Sequence, residues 1–156
     1  MKQYWLIKSE ADCYSIDQFE KDSKRLKKVP WTGIRNYQAR NYMRDSMKAG
    51  DGVLFYHSGK DPAVVGVAKV VGASHPDMTA QDKKDEHYDP KSTSTNPIWM
   101  CVDVAFVKKF KTPVTLSQIK FQPELKGIML TQIGNRLSVQ PVSKAHFEKI
   151  VEMGNK

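Results

Sequence analysis

The chain has 156 residues, a formal net charge of +8 and two cysteines, Cys13 and Cys101. At roughly 150 residues per domain, residues 1–156 are expected to form one domain that buries about two-thirds of its unfolded surface. The 40% apolar and 27% charged fractions exclude a disordered chain, and no apolar run approaches the roughly 20 residues of a membrane helix. Neither cysteine has a partner at short spacing, so a disulfide framework and a zinc site are not expected. The excess of Lys and Arg points to a polyanionic partner or to a solvated basic surface. The N-terminal stretch Met1 to Glu10 has too short an apolar segment for a secretory signal, which implies retention in the cell of origin.

Tyr4 and Leu6 alternate with Trp5 and Ile7, so both sides of this first run are apolar, as in a central strand covered on both faces. It ends in the polar Lys8-Ser9-Glu10. Ser15 precedes Phe19 with Gln18 at capping-box spacing, which predicts a helix from about Ile16. Lys21, Lys24, Arg25, Lys27 and Lys28 then read as an exposed basic loop, able to lie along a phosphate backbone or simply solvated.

Trp31 to Arg44 holds three aromatic rings and three arginines in fourteen residues. Rings can stack on a base while guanidinium groups hold phosphate, so the stretch reads as a nucleic-acid surface or as an ordinary amphipathic helix. Asn36 is a candidate cap for a helix running to Met47, with Arg40, Arg44 and Lys48 aligned one turn apart. After Gly50-Asp-Gly52, the runs Val53–His57 and Ala63–Val71 predict a hairpin. Gly66 inside the second run marks a bend, a bulge or a close approach. Residues 74–97 are polar and proline-containing, the pattern of a long binding loop or lid. A strand at Trp99–Val107, a basic Lys108–Lys111, a helix at Leu116–Phe121 capped by Thr115, a β-prone Arg136–Val142 and a closing helix capped by Ser143 complete the chain. The class is α+β, with a mixed or antiparallel sheet curled into a small barrel.

His57, His75, His87 and His146 lack metal spacing, and the phosphate-binding and hydrolase signatures are missing, so no metal and no cofactor are expected. His57 and Ser58 are adjacent on a strand and face opposite ways, which excludes a nucleophile–base pair. Trp31 stands between a basic loop and Gly33, where an aromatic ring can offset the few kcal/mol needed to unstack a base.

Six blocks in order, Tyr4-Trp-Leu-Ile-Lys-Ser-Glu10, Trp31 to Arg40, Gly50 to Ser58, Val65-Gly-Val-Ala68, Tyr88-Asp-Pro-Lys91 and Arg136 to Val142, resemble the EVE domain family. The resemblance covers nearly the whole chain. It implies a PUA-like fold, a small mixed β-barrel with short helices around it, related to PUA, YTH and ASCH domains. It further implies a pocket for a modified base of DNA or RNA, comprising Ser9, Trp31, Gly33 and Asn36, the strand residues Tyr56, His57 and Ser58, and a further wall at Ser138 and Gln140. Many members have proline after Lys-Ser-Glu where this chain has Ala11.

The reading is therefore a non-enzymatic reader that flips a modified base, such as a methylated or hydroxymethylated cytosine, against Trp31. Lys27, Lys28, Arg35, Arg40 and Arg44 would hold phosphates. The rival is an ASCH-like amidohydrolase acting on modified nucleosides through Lys8, Ser9 and Glu10. No membrane association is expected, and the location would be cytoplasmic in a bacterium or nuclear in a eukaryote.

Overall fold

The computed structural model describes residues 2–156. The doubly apolar first run forms strand β1, Tyr4–Glu10. Five more strands follow along the chain: β2 Val29–Pro30, β3 Gly52–Ser58, β4 Ala63–Pro76, β5 Met100–Thr115 and β6 Val139–Val142. Four helices accompany them, α1 Ile16–Leu26, α2 Tyr37–Asn41, α3 Leu116–Phe121 and α4 Lys144–Gly154. The strands make one sheet in the order β2-β5-β4-β3-β1-β6. Trp5 and Ile7 enter an apolar cluster with Ile16, Phe19 and Met43 on the α1 and α2 side, whereas Leu6 joins a second cluster with Ile119 and Ile150 under α3 and α4. Alternation along β1 thus serves two cores at once. No described helix is long and apolar enough to cross a membrane.

The fold is the expected α+β class, but the barrel does not close. The sheet is open and strongly curled, with β2 and β6 as its edges. Those edges carry Pro30 and Pro141, which have no N–H to donate and so stop further pairing. Curvature comes from the long β4 and β5, whose register shifts at Val64/Gly66, Val67/Ala68 and Val71/His75 are bulges that bend a strand. At the loop before β3, the buried Asp51 accepts the Gln3 and Lys48 backbone N–H groups and the Trp5 indole N–H, fixing β1 against β3.

Local differences from the expectations have local causes. The basic stretch 21–28 is mostly the second half of α1, because Ile16, Phe19 and Ser23 share a buried face and Glu20 pairs with Lys24 one turn on. Ser15 caps this helix, while the Gln18 side chain reaches forward to Asp22 rather than back to the cap. The expected helix 36–47 is α2 followed by a π-helical turn, Tyr42–Ser46, closed by the Met47 N–H on the Tyr42 carbonyl. The added residue per turn keeps both Met43 and Met47 buried but ends the four-residue alignment of Arg40, Arg44 and Lys48.

Gly66 is a close approach. A Cβ there would collide with the Ile16 side chain and the Lys108 carbonyl. Gly66→Ala is expected to cost at least about 1–3 kcal/mol as an overpacked site, measured as a lower urea midpoint at unchanged slope.

Candidate nucleic-acid interface

The segment after β2 is shaped by one carboxylate. Asp77, fully buried at the end of β4, accepts the Gly33 N–H at 2.8 Å, the Arg35 guanidinium at 3.0 Å, and both the N–H and hydroxyl of Thr79. Burial pushes its pKa up, but the bonds from Thr79, Gly33 and Arg35 outweigh that and hold it below the usual carboxylate value. Arg35 also donates to the carbonyls of His87 and Ile34. Gly33 has φ +85°, and a Cβ there would stand 3.0 Å from the His87 ring. The polar excursion 77–97 is tied down further along: Asp89 accepts the Trp99 indole N–H, and the Ser92 hydroxyl oxygen accepts the backbone N–H groups of Ile98 and Trp99.

This framework leaves a cleft of about 570 Å³, within the roughly 300–1,000 Å³ range of small-molecule sites. Trp31 is its floor. The indole is 8% exposed and packs edge-on against Tyr14, Phe19 and Phe55 at centroid distances of 6.0, 6.3 and 5.6 Å, so the core fixes its angle. Lys8, Ser9 and Glu10 line the cleft from the end of β1, Tyr14 and Asp22 from the α1 side, Thr32 and Ile34 from the loop, and Glu86 and His87 from the excursion.

Of the pocket residues expected from sequence, the structure brings Ser9 and Trp31 together here. Gly33 acts through its backbone, and the Asn36 carboxamide oxygen caps α2 by accepting the Ala39 N–H. Tyr56 belongs to the apolar cluster under α3 and α4, on the other side of the sheet. Gln140 is fully buried, donating to Asn135 and the Leu137 carbonyl. The Ser138 carbonyl serves the β1 ladder by accepting the Lys8 N–H, and Ser58 pairs with Glu10. His57 lines a separate cleft with Pro62 and Pro113. Strand alternation turns Tyr56 away from Trp31, since Tyr56 and Phe55 face opposite cores, whereas His57 is on the Phe55 side, edge-on to that ring at 5.8 Å, and is occupied by the Ile16 N–H.

Three residues expected on phosphate are engaged within the chain. Arg35 is the strut on Asp77, Arg40 donates to Asn41 and the Ile98 carbonyl, and Arg44 forms a two-point pair with Asp45. Lys28 stands 3.4 Å from Asp103. Lys27, expected on phosphate, lines a groove with Lys24 and Lys69 on the far side of α1.

Tyr14, Asp22 and His87 were not singled out from sequence. The Tyr88-Asp-Pro-Lys block pointed to the segment that carries His87, but nothing in the spacing of Tyr14 and Asp22 announced that their side chains bond.

Lys8, Ser9 and Glu10 share the cleft, but among the described residues no hydrogen bond joins their side chains. The Ser9 hydroxyl donates to the Tyr14 carbonyl at 2.6 Å. Burial lowers the Lys8 pKa, and its ammonium lies over the Tyr56 ring at 5.9 Å. Elsewhere, Cys101, His75 and Asp103 superficially resemble a thiol–imidazole–carboxylate relay, with His75 Nε2 2.9 Å from Asp103. The sulfur is 3.6 and 3.7 Å from the two ring nitrogens, so it is not aligned with either one. The thiol is buried and pushed up to about 12, by burial first and by Asp77 and Asp103 after it, which leaves it inert.

The family model for the EVE domain matches residues 3–153. The chain belongs to the EVE domain family. Thymocyte nuclear protein 1 of Gallus gallus is 38% identical, over 96% of this chain and 68% of that protein. Among solved structures, a hypothetical protein from Leishmania major is 45% identical with a TM-score of 0.90, covering 99% of this EVE chain and 95% of its own. Human THYN1, solved in complex with DNA containing 5-methylcytosine, is 35% identical with a TM-score of 0.89 and 99% coverage of both chains. An ASCH protein from Zymomonas mobilis is 12% identical with a TM-score of 0.56 and 97% and 99% coverage, a likeness of fold alone.

Two expectations follow for this EVE domain. Asp77→Ala and Arg35→Ala are each expected to lose on the order of 1–3 kcal/mol of stability or more, since the first leaves the Gly33 and Thr79 donors unpaired and the second takes the counter-charge from the fully buried Asp77. The double variant should lose little more than either single one, a coupling read from a denaturation cycle. His57 accepts the Ile16 N–H through Nε2 at 3.0 Å, which requires the neutral ring. Burial lowers its pKa from 6.5, Asp17 opposing and Lys109 assisting. The unfolded chain then binds the proton more readily, so this stability is full above pH 6.5 and is lost as pH falls through the lower folded value. His57→Gln, whose amide oxygen can accept the same N–H, should flatten that part of the stability–pH curve.

Proposed function

We infer that this protein is a non-enzymatic reader of DNA carrying a modified base, which receives the base, flipped from its stack, in the cleft over Trp31. The observation that carries the reading is the human relative, alike over 99% of both chains and solved with DNA containing 5-methylcytosine. The cleft agrees with it in chemistry: an indole floor of fixed angle offers a stacking face, and the polar ends of β1 and the excursion surround it. The amidohydrolase alternative is not adopted, because the Ser9 hydroxyl is committed to a backbone carbonyl and the ASCH likeness reaches only the fold.

Phosphates are assigned to Lys27 and Lys69, which line the groove beyond α1, rather than to Arg35, Arg40 and Arg44. Helix α1 separates the two places, with Asp22 toward the base cleft and Lys24 and Lys27 toward the groove. RNA is the alternative backbone. A nuclear location in a eukaryote accords with the name of the chicken relative.

The test is binding of matched duplexes, with and without 5-methylcytosine at one position, as DNA and as RNA, at two salt concentrations. The modified DNA should bind more tightly. Lys27→Gln and Lys69→Gln should each weaken both DNA duplexes alike and lower the salt slope by about one. Equal affinity of the parent for modified and unmodified duplexes would refute the reader.

A further inference from the structure

The polar atoms of the cleft over Trp31 are biased toward accepting hydrogens. The Ser9 hydroxyl uses its hydrogen on the Tyr14 carbonyl at 2.6 Å, and the Tyr14 hydroxyl uses its own on Asp22 at 2.8 Å. What both oxygens have left is lone pairs. Burial first, and then the bond and charge of Asp22, raise the Tyr14 pKa well above its ordinary value, so the phenol keeps the proton it donates. Glu10 and Asp22 add carboxylates, which only accept when ionised. The one lysine in the lining, Lys8, lies over the Tyr56 ring, and Tyr56 packs in the cluster on the other side of the sheet.

The two carboxylates differ in what they have free. Asp22 is shared by the Tyr14 hydroxyl, the Gln18 amide and the Arg25 guanidinium. Glu10 is bonded, among the described residues, to the Cys13 thiol alone, at 3.6 Å, a weak donor. A ligand hydrogen entering the cleft therefore meets Glu10 with nearly its full accepting capacity.

We propose that the cleft selects its base by the amino edge: the Glu10 carboxylate accepts the exocyclic 4-amino group of a cytosine-type base stacked on Trp31, and Asp22 holds Tyr14 as a second acceptor. This rests on the reader function and adds the property that the base must have. Thymine carries the same 5-methyl group as 5-methylcytosine but presents an oxygen at position 4. Placed where the amino group would lie, that oxygen meets the Glu10 carboxylate and finds no hydrogen there, and a site built to accept from an N–H strongly rejects an analogue lacking it. The modification then adds contact area, while the amino group decides which ring is admitted.

The test uses DNA duplexes identical except for 5-methylcytosine or thymine at one position, each opposite an abasic site so that neither base loses a pairing partner when it flips. Fluorescence polarisation should show the parent preferring 5-methylcytosine by about tenfold or more. Glutamine matches glutamate in size, and its amide can offer either a carbonyl or an N–H. Glu10→Gln should therefore shrink the preference to about threefold or less, mainly by binding the thymine duplex better, with an unchanged urea midpoint. Equal binding of the two duplexes by the parent, or a preference that persists in both Glu10→Gln and Asp22→Asn, would overturn amino-edge selection and leave the reader standing. Failure of the parent to bind either duplex would overturn both.

Discussion

Asp77 receives four hydrogens within 3.0 Å, one from Gly33, one from Arg35 and two from Thr79, and through them the loop after β2 and the excursion after β4 become one piece. A fully buried carboxylate is tolerated only when its lone pairs are filled, and here filling them requires backbone and side chains more than forty residues away in sequence. The geometry of the cleft follows from that requirement. Gly33 must turn toward Asp77, which places its α-carbon under the His87 ring, and Arg35 must turn inward, which leaves it no guanidinium hydrogen directed at solvent phosphate. Trp31, two residues before Gly33, is then held between this loop and the aromatic contacts of α1 and β3.

Charge is divided unevenly over this basic protein. The chain carries +8 overall, yet Glu10, Asp22 and Glu86 line the cleft against Lys8, while Lys24, Lys27 and Lys69 gather on the opposite side of α1. A phosphate entering the cleft would meet carboxylates, whereas one lying in the groove would meet Lys27 and Lys69. Helix α1 is thus a partition between two electrostatic environments, and one DNA strand could use both only by crossing it. That separation lets affinity respond to salt while the choice of base does not.

Much of the fold was legible because local rules carried it. Ser15, Thr115 and Ser143 cap helices as their spacing implies, and the doubly apolar β1 is covered on both faces. Ser9 and Trp31 were legible through the motif blocks that contain them. The closed barrel was not, since the effect of Pro30 and Pro141 depends on which strands become edges. Asp77 was one polar residue in a polar stretch, and its role appears only when the chain brings Gly33 and Arg35 to it. The partners of Arg35, Arg40 and Arg44 were hidden for the same reason: composition counts guanidinium groups but does not show which carbonyls and carboxylates occupy them. Tyr56 and Gln140 were misplaced because a wall read from a run of residues takes both faces of a strand, and the cleft uses one.

The placement of β1 has a consequence for how the protein is made. β1 pairs in parallel with β3 on one side and antiparallel with β6 on the other, Tyr4 opposite Val142 and Ile7 opposite Val139. β1 therefore waits for β6, which follows every other strand of the sheet in the chain, before its second edge is covered, and loop closure over such a separation slows assembly. Until then the Tyr-Trp-Leu-Ile run presents an apolar strand with an unpaired edge, the feature most prone to pairing with another chain. Ser9 and Glu10, at the end of that strand, lie beyond the stretch paired with β6 and are held beside His57 and Ser58 of β3, so the β1 wall of the cleft can form while the other edge of the strand is still open.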